Sequence, residues 1–187
     1  MEYLHTEIPD VVVLQPKVFG DERGFFLETF RADEFARNCG TVSFVQDNHS
    51  GSRRGILRGL HYQIQQPQGK LVRAVAGTIF DVAVDIRKGS STFGKWVGEV
   101  ISAENRRQIW IPAGFAHGFY VISDWAEVFY KATDYYAPAY ERSILWDDPD
   151  LAIRWPLTEG QSPILSEKDK AGKRLSEAEV YDLRGNA

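Results

Sequence analysis

The chain has 187 residues, 43 % of them apolar and 13 % aromatic, which is enough to bury a core and too apolar for a disordered segment. Its formal charge of -4 gives no global basic field, which argues against a nucleic-acid partner and requires local Arg and Lys to grip any anionic ligand. One cysteine, Cys39, makes neither an internal disulfide nor a thiolate zinc site, and neither a basic-then-apolar leader nor a run of about 18 apolar residues is present; the expectation is a soluble, cytoplasmic protein with no membrane partner.

Along the chain, apolar and polar residues alternate with period two in short runs separated by Gly, Pro, Asn and Asp, the signature of half-buried strands. Strands are predicted over 11–14 and 25–30, followed by a short helix over 31–39 that Gly40 stops. Further strands are predicted over 42–46, 71–76, 78–86, 96–101, 108–111, 118–122 and 126–131. In the 78–86 strand Phe80, Val82, Val84 and Ile86 share one face opposite Asp81, Ala83 and Asp85, and two acids on one face call for a polar or hydrated interior. A helix broken at Gly172 is predicted over 166–180, and 184–187 reads as a frayed end. About ten strands with no repeat or linker imply one all-β domain over 1–187, a sandwich or barrel.

The stretches GILRGLH and IPAGFAH resemble the two motifs of the cupin superfamily, which in metal-binding members read G-x5-H-x-H-x3,4-E and P-x-G-x2-H-x3-N. Gly55 and His61 fit the first spacing; Pro112, Gly114 and His117 fit the second. The second His position, however, is Gln63, the Glu position falls near Pro67 or Gln68, and the Asn position is Val121. Only two histidines of the ligand set remain, whereas zinc and iron sites usually take three or four protein ligands. The resemblance therefore implies a cupin-type double-stranded β-helix, a jelly roll with a few short helices in the N-terminal third and at the C-terminus, and no metal.

Over most of residues 10–170 the segments VFGDERGFFLETF, VQDNHS, RGILRGLHYQ, QGKLVRAVAGTIFDVAVDIR, IPAGFAHGFYV, YKATDYYAP and ILSEKD follow one another as in the dTDP-4-dehydrorhamnose 3,5-epimerase family, which the chain resembles at full length. The resemblance implies a homodimeric isomerase without metal or cofactor that inverts C3 and C5 of dTDP-4-dehydro-6-deoxy-glucose to give dTDP-4-dehydro-L-rhamnose. The chemistry suits such an enzyme. A C4 ketone acidifies the hydrogens on both neighbouring carbons, so a base, an enolate stabiliser and a proton donor on the opposite face suffice.

The same resemblance assigns roles residue by residue. His61 is the base and Asp169 its partner; from spacing alone His61 also reads as a core histidine, and Ser166–Asp169 as a helix-capping box. Lys70 faces the C4 oxygen, although a lysine at a strand start is ordinarily solvated surface. Tyr130 is the acid; only the family register selects it over Tyr135, Tyr136 and Tyr140. His117 and Asp81 form a second pair that orients the sugar and Lys70. Arg23 and Arg58 approach the diphosphate or nucleotide, and Glu28, Gln46, Asp47, Asn48, Glu141 and Lys168 fall on further binding positions, with Asp47-Asn48 also readable as a turn pair. Strict alternation would send Arg58 and His61 to opposite faces of one strand, so a bulge at Gly59 is needed to aim both at one pocket. A mono-epimerase of a related dTDP-deoxysugar shares nearly all these residues, and a non-catalytic cupin binding a nucleotide-sugar through Arg23 and Arg58 is the alternative outside catalysis.

Overall fold

Period-two alternation closes into two large antiparallel sheets, accompanied by two small two-stranded ones, in the computed structural model, which describes residues 1–183; the end predicted to fray, 184–187, lies outside the described residues. The chain runs β1 (Glu2–His5), β2 (Val12–Gln15), the hairpin β3 (Val18–Asp21) and β4 (Gly24–Leu27), α1 (Ala32–Cys39), β5 (Gln46–Arg53) and β6 (Leu57–Gln63). There follow β7 (Lys70–Ala76), β8 (Thr78–Asp85), β9 (Arg87–Lys88), β10 (Trp96–Ser102), β11 (Gln108–Ile111), β12 (Phe115–Val121), β13 (Trp125–Ala132), β14 (Glu141–Ser143), α2 (Glu167–Lys170) and β15 (Tyr181–Asp182). One sheet has the order β1-β2-β11-β7-β13-β5 and the other β10-β8-β12-β6-β14. The all-β jelly roll with few short helices implied by the cupin motifs is the fold observed.

The core lies between the sheets, where Val72, Ile109 and Val128 of the first pack with Ile79, Ala83, Val97, Phe119 and Val121 of the second. The outer face of the five-stranded sheet is buried as well, because the C-terminal segment lays Leu151, Ile153, Trp155, Leu175 and Val180 over Val82, Val84 and Ile86. This double burial explains why β8 is apolar on one face yet dry on both, and why its two acids are each fully paired. Asp81 accepts from His117, while Asp85 accepts from Arg87, Ser90 and Thr92. On the other sheet, α1 buries Phe35 against Trp110, with the ring centroids 5.0 Å apart.

Three expectations need correction. The strand predicted over 42–46 is coil up to Val45, and the strand instead runs Gln46–Arg53. Its inward side chains are Gln46, Asn48 and Ser50, so no apolar alternation announced it. The strand predicted over 25–30 ends at Leu27 as half of an exposed hairpin, and β1 had no prediction. The helix predicted over 166–180 is only the single turn Glu167–Lys170, after which Lys173 bridges to Ile144 and Leu175–Glu177 forms a 3-10 turn.

Candidate active site

Between the open ends of the two sheets lies a cavity of about 390 Å³. From β5 it receives Gln46, Asn48 and Ser50; from β7 and β13, Lys70 and Tyr130, which face inward in register with Ala132 and Asn48. Strands β6 and β12 supply Arg58, His61, His117 and Phe119 from the other wall. Glu141, Lys168 and Tyr136 close the rim. A second cavity of about 370 Å³, on the outer face of the six-stranded sheet beside Leu71, Arg73 and Phe129, contains no comparable acid–base pair.

The bulge needed in β6 is present. His61 pairs with His117 and Arg58 with Phe119, so three steps along β6 match two along β12, and Gly59 at φ 120° absorbs the extra residue. A Cβ on Gly59 would sit 2.5 Å from the Cα of Gly118, so the strands approach here only because both positions are glycine. Arg58 and His61 thereby reach the same cavity.

His61 and Asp169 meet. The ring Nε2 lies 2.5 Å from Asp169 Oδ1, which also accepts the Gly59 N–H at 3.2 Å, and Asp169 Oδ2 accepts the Ser166 hydroxyl at 2.6 Å. The capping reading holds too, since Ser166 Oγ accepts the Asp169 N–H at 3.2 Å at the start of α2. Cap and dyad are one device: the capped turn delivers the carboxylate that orients the ring. The nitrogen in contact with Asp169 is Nε2, leaving Nδ1 with no hydrogen-bond partner among the described residues. Burial disfavours the Asp169 charge, but the hydrogen bonds from His61, Ser166 and Gly59 outweigh it and hold the carboxyl at about 2. Burial lowers the His61 pKa, the contact with Asp169 opposes this, and the Lys168 and Lys70 charges add to the lowering, so the ring is a neutral base at pH 7.

Lys70 has no carboxylate within ion-pair distance among the described residues, and its ammonium lies 6.0 Å from the centre of the Tyr130 ring. Burial pulls its pKa down to about 8, against the opposing pull of Asp81 and Glu141. Burial, and after it the Glu141 charge, raises the Tyr130 hydroxyl, which therefore holds its proton at neutrality. The second pair is buried, with His117 in the cavity wall and Asp81 behind it, and His117 Nε2 lies 3.0 and 2.9 Å from the two Asp81 oxygens. Arg58 is aimed by Ser52, whose hydroxyl accepts its Nε–H at 3.0 Å. Glu141 accepts from Lys168 Nζ and from the Tyr136 hydroxyl; these bonds outweigh burial and lower its pKa.

Four sequence-assigned binding residues are not in the cavity lining: Asp81 sits behind it on His117, and Arg23, Glu28 and Asp47 lie elsewhere on the chain. Arg23 and Glu28 belong to the exposed hairpin region, where Arg23 pairs with Asp21. Asp47 points to the opposite face of β5 and pairs with Lys131 at 2.9 Å, so it is neither a turn residue nor a cavity residue. Sequence reasoning missed Ser50, His49, Gln68 and Phe119 in the lining and Ser52 behind it, and it named Ser166 only as a cap. The polar alternation Gln46, Asn48, Ser50, Ser52 was the available signal for the β5 members.

Among the described residues no group of three or more His, Cys, Asp and Glu is arranged to hold a metal ion. The position of the second cupin ligand, Gln63, turns its amide to backbone groups instead. Nor is any helix long and apolar enough to cross a membrane among those residues.

Residues 5–177 match the family model of dTDP-4-dehydrorhamnose 3,5-epimerase. The chain is 60 % identical over 182 residues to a dTDP-4-dehydrorhamnose 3,5-epimerase of Pseudomonas aeruginosa, covering 97 % of this chain and 99 % of that one. A Legionella pneumophila epimerase solved in complex with dTDP-4-keto-L-rhamnose superposes with a TM-score of 0.93 at 54 % identity, covering 97 % of both chains. A 3'-monoepimerase of Streptomyces bikiniensis solved with dTDP-quinovose gives a TM-score of 0.86 at 36 % identity, covering 92 % of this chain and 88 % of that one. With a family model spanning almost the whole chain and a relative this similar over its full length, the chain belongs to the dTDP-4-dehydrorhamnose 3,5-epimerase family.

Proposed function

We propose that the protein, acting as one domain, converts dTDP-4-dehydro-6-deoxy-α-D-glucose to dTDP-4-dehydro-β-L-rhamnose by epimerisation at C3 and C5. The observation that carries this reading is the His61–Asp169 contact of 2.5 Å in a cavity that also holds Lys70 and Tyr130. His61 donates Nε2–H to Asp169, which leaves the Nδ1 lone pair to take the proton from the substrate carbon. The C–H electron pair becomes the enolate, whose negative C4 oxygen is stabilised by the Lys70 ammonium. The Tyr130 hydroxyl then protonates the same carbon from the opposite face, and solvent exchange resets both side chains. The ketone is regenerated, so the cycle repeats at the second carbon with no net change of oxidation state. In this scheme Arg58 and Lys168 hold the diphosphate, Gln46, Asn48 and Glu141 face uncharged parts of the nucleotide sugar, and Asp81 with His117 fixes the sugar side of Lys70.

We also infer a homodimer. The β3–β4 hairpin exposes Phe19, Phe25 and Phe26 at 54, 59 and 71 %, and Arg23 and Glu28 lie outside the cavity of their own chain. An apolar hairpin carrying ligand-type residues suits a subunit contact that serves the partner's cavity. The half-buried single cysteine, a free thiol, supports a cytoplasmic site of action.

Incubation with the 4-dehydro sugar nucleotide in deuterated water tests the activity. Deuterium at both C3 and C5 is expected, and its absence from both would defeat the reading. Deuterium at one carbon only would establish the second reading, a mono-epimerase, which the similarity to the Streptomyces bikiniensis enzyme favours.

A further inference from the structure

Gln63 stands two residues beyond His61, at the position where metal-binding cupins place a second histidine, yet it takes no part in the cavity wall. Its side chain is buried, and among the described residues every partner of that side chain is backbone. Nε2 donates to Gln66 O at 2.7 Å and to Tyr135 O at 3.2 Å, and Oε1 accepts the Ala137 N–H at 2.8 Å. Tyr136 lies between the two clamped residues. Its own N–H is taken by Gln46 Oε1 at 2.9 Å, and its hydroxyl donates to Glu141 Oε2 at 2.8 Å. Glu141 is in turn the backbone partner of Gln63 across β6 and β14. The loop is thus fixed at three successive residues by two carboxamides, and it carries a ring that is 52 % exposed at the cavity rim.

We propose that Gln63 is a positioning residue that sets the 135–137 loop so that Tyr136 forms a preformed wall for the part of the ligand remote from the reacting carbons. A neutral carboxamide offers two donors and two acceptor lone pairs, whereas a neutral imidazole offers one donor and one acceptor. A histidine at 63 therefore could not make these three bonds, and replacing the metal ligand by glutamine turns the position into a loop strut. A wall fixed before binding spares the ordering cost at each encounter and leaves the bond-breaking step untouched, so its loss falls on KM rather than kcat. The substrate side of this inference rests on the nucleotide-sugar reading above.

The test compares Gln63→Leu, Tyr136→Ala and the double variant in the full chain, measuring kcat, KM and the Kd of dTDP. Removing three hydrogen bonds from a loop is expected to raise KM and the dTDP Kd together by about tenfold with kcat within about twofold. The double variant is expected to be no weaker than Tyr136→Ala alone, because one effect acts through the other. Should Gln63→Leu fail to fold, Gln63→Glu keeps the acceptor for Ala137 and removes the donors to Gln66 and Tyr135, and the same rise is expected. A fall in kcat at unchanged KM, a lower melting temperature with unchanged KM and Kd, or multiplicative effects in the double variant would each overturn the proposal. If the native chain bound dTDP but exchanged no substrate hydrogen, the proposed activity would fail while the dTDP arm still decided the role of Gln63.

Discussion

Asp169→Asn isolates the charge behind the proposed base. The carboxylate accepts from His61 Nε2, from Gly59 N and from the Ser166 hydroxyl. An asparagine fits this set with its oxygen at the Oδ1 position and its NH2 donating to Ser166 Oγ, so the ring keeps its orientation and its tautomer. What disappears is the negative charge against which the imidazolium forms. A hydrogen bond to a charged partner contributes about 1.5–3 kcal/mol, so its loss in the transition state lowers kcat by roughly 10- to 150-fold. KM should barely move, since Asp169 lies behind the ring rather than in the cavity lining. Single-turnover deuterium uptake from deuterated water reads the step directly. A variant within about threefold of the native rate would refute the dyad as the source of basicity.

Tyr130→Phe should retain proton abstraction, seen as deuterium wash-in with the original configuration, while completed inversion falls by about 100-fold or more; equal loss of both would contradict the donor role. Lys70→Met should lower kcat by about 100-fold through loss of enolate stabilisation yet raise the melting temperature, because it removes a cation that burial disfavours. With the Lys70 pKa lowered to about 8, its deprotonated form gains population above that pH, so activity should decline there and the alkaline limb should vanish in Lys70→Met. Arg58→Ala should chiefly raise KM, a split that steady-state kinetics measures. Asp169 and His61 both make the fold acid-sensitive: the carboxyl lies at about 2 against an ordinary 3.8, so about 2 kcal/mol present above pH 4 is lost as pH falls toward 2. The lowered His61 pKa acts in the same direction below its unfolded value near 6.5, and the acid limb of a denaturation series should flatten in Asp169→Asn.

How much of this was legible in the sequence depended on whether apolar side chains marked the element. Strands β7, β8, β10, β11 and β13 alternate visibly because one face meets the core, and α1 was found from its amphipathic run and Gly40. Strand β5 was misplaced because its inward residues are the polar ones that line the cavity, so the pattern that fails as a strand signal is itself the site signal. The Gly59 bulge was legible only once the family resemblance had sent Arg58 and His61 to one pocket: strict alternation then conflicted with that placement, and a strand glycine was at hand. Cap against dyad could not be settled by spacing, since Ser166 and Asp169 serve both, and the contact between Asp169 and His61 spans 108 positions. The strut role of Gln63 was hidden for a similar reason, because its partners at Tyr135 and Ala137 are backbone groups over 70 residues away. Arg23 and Glu28 show the limit from the other side, as motif register placed them in a site that one chain does not bring them to.

The central claim is that one base, His61, serves both carbons. It is tested most directly by following His61→Ala with the 4-dehydro sugar nucleotide in deuterated water by proton NMR. The account predicts that uptake at C3 and C5 is lost together while dTDP still binds. Persistent uptake at either carbon would contradict it and assign that proton to another residue.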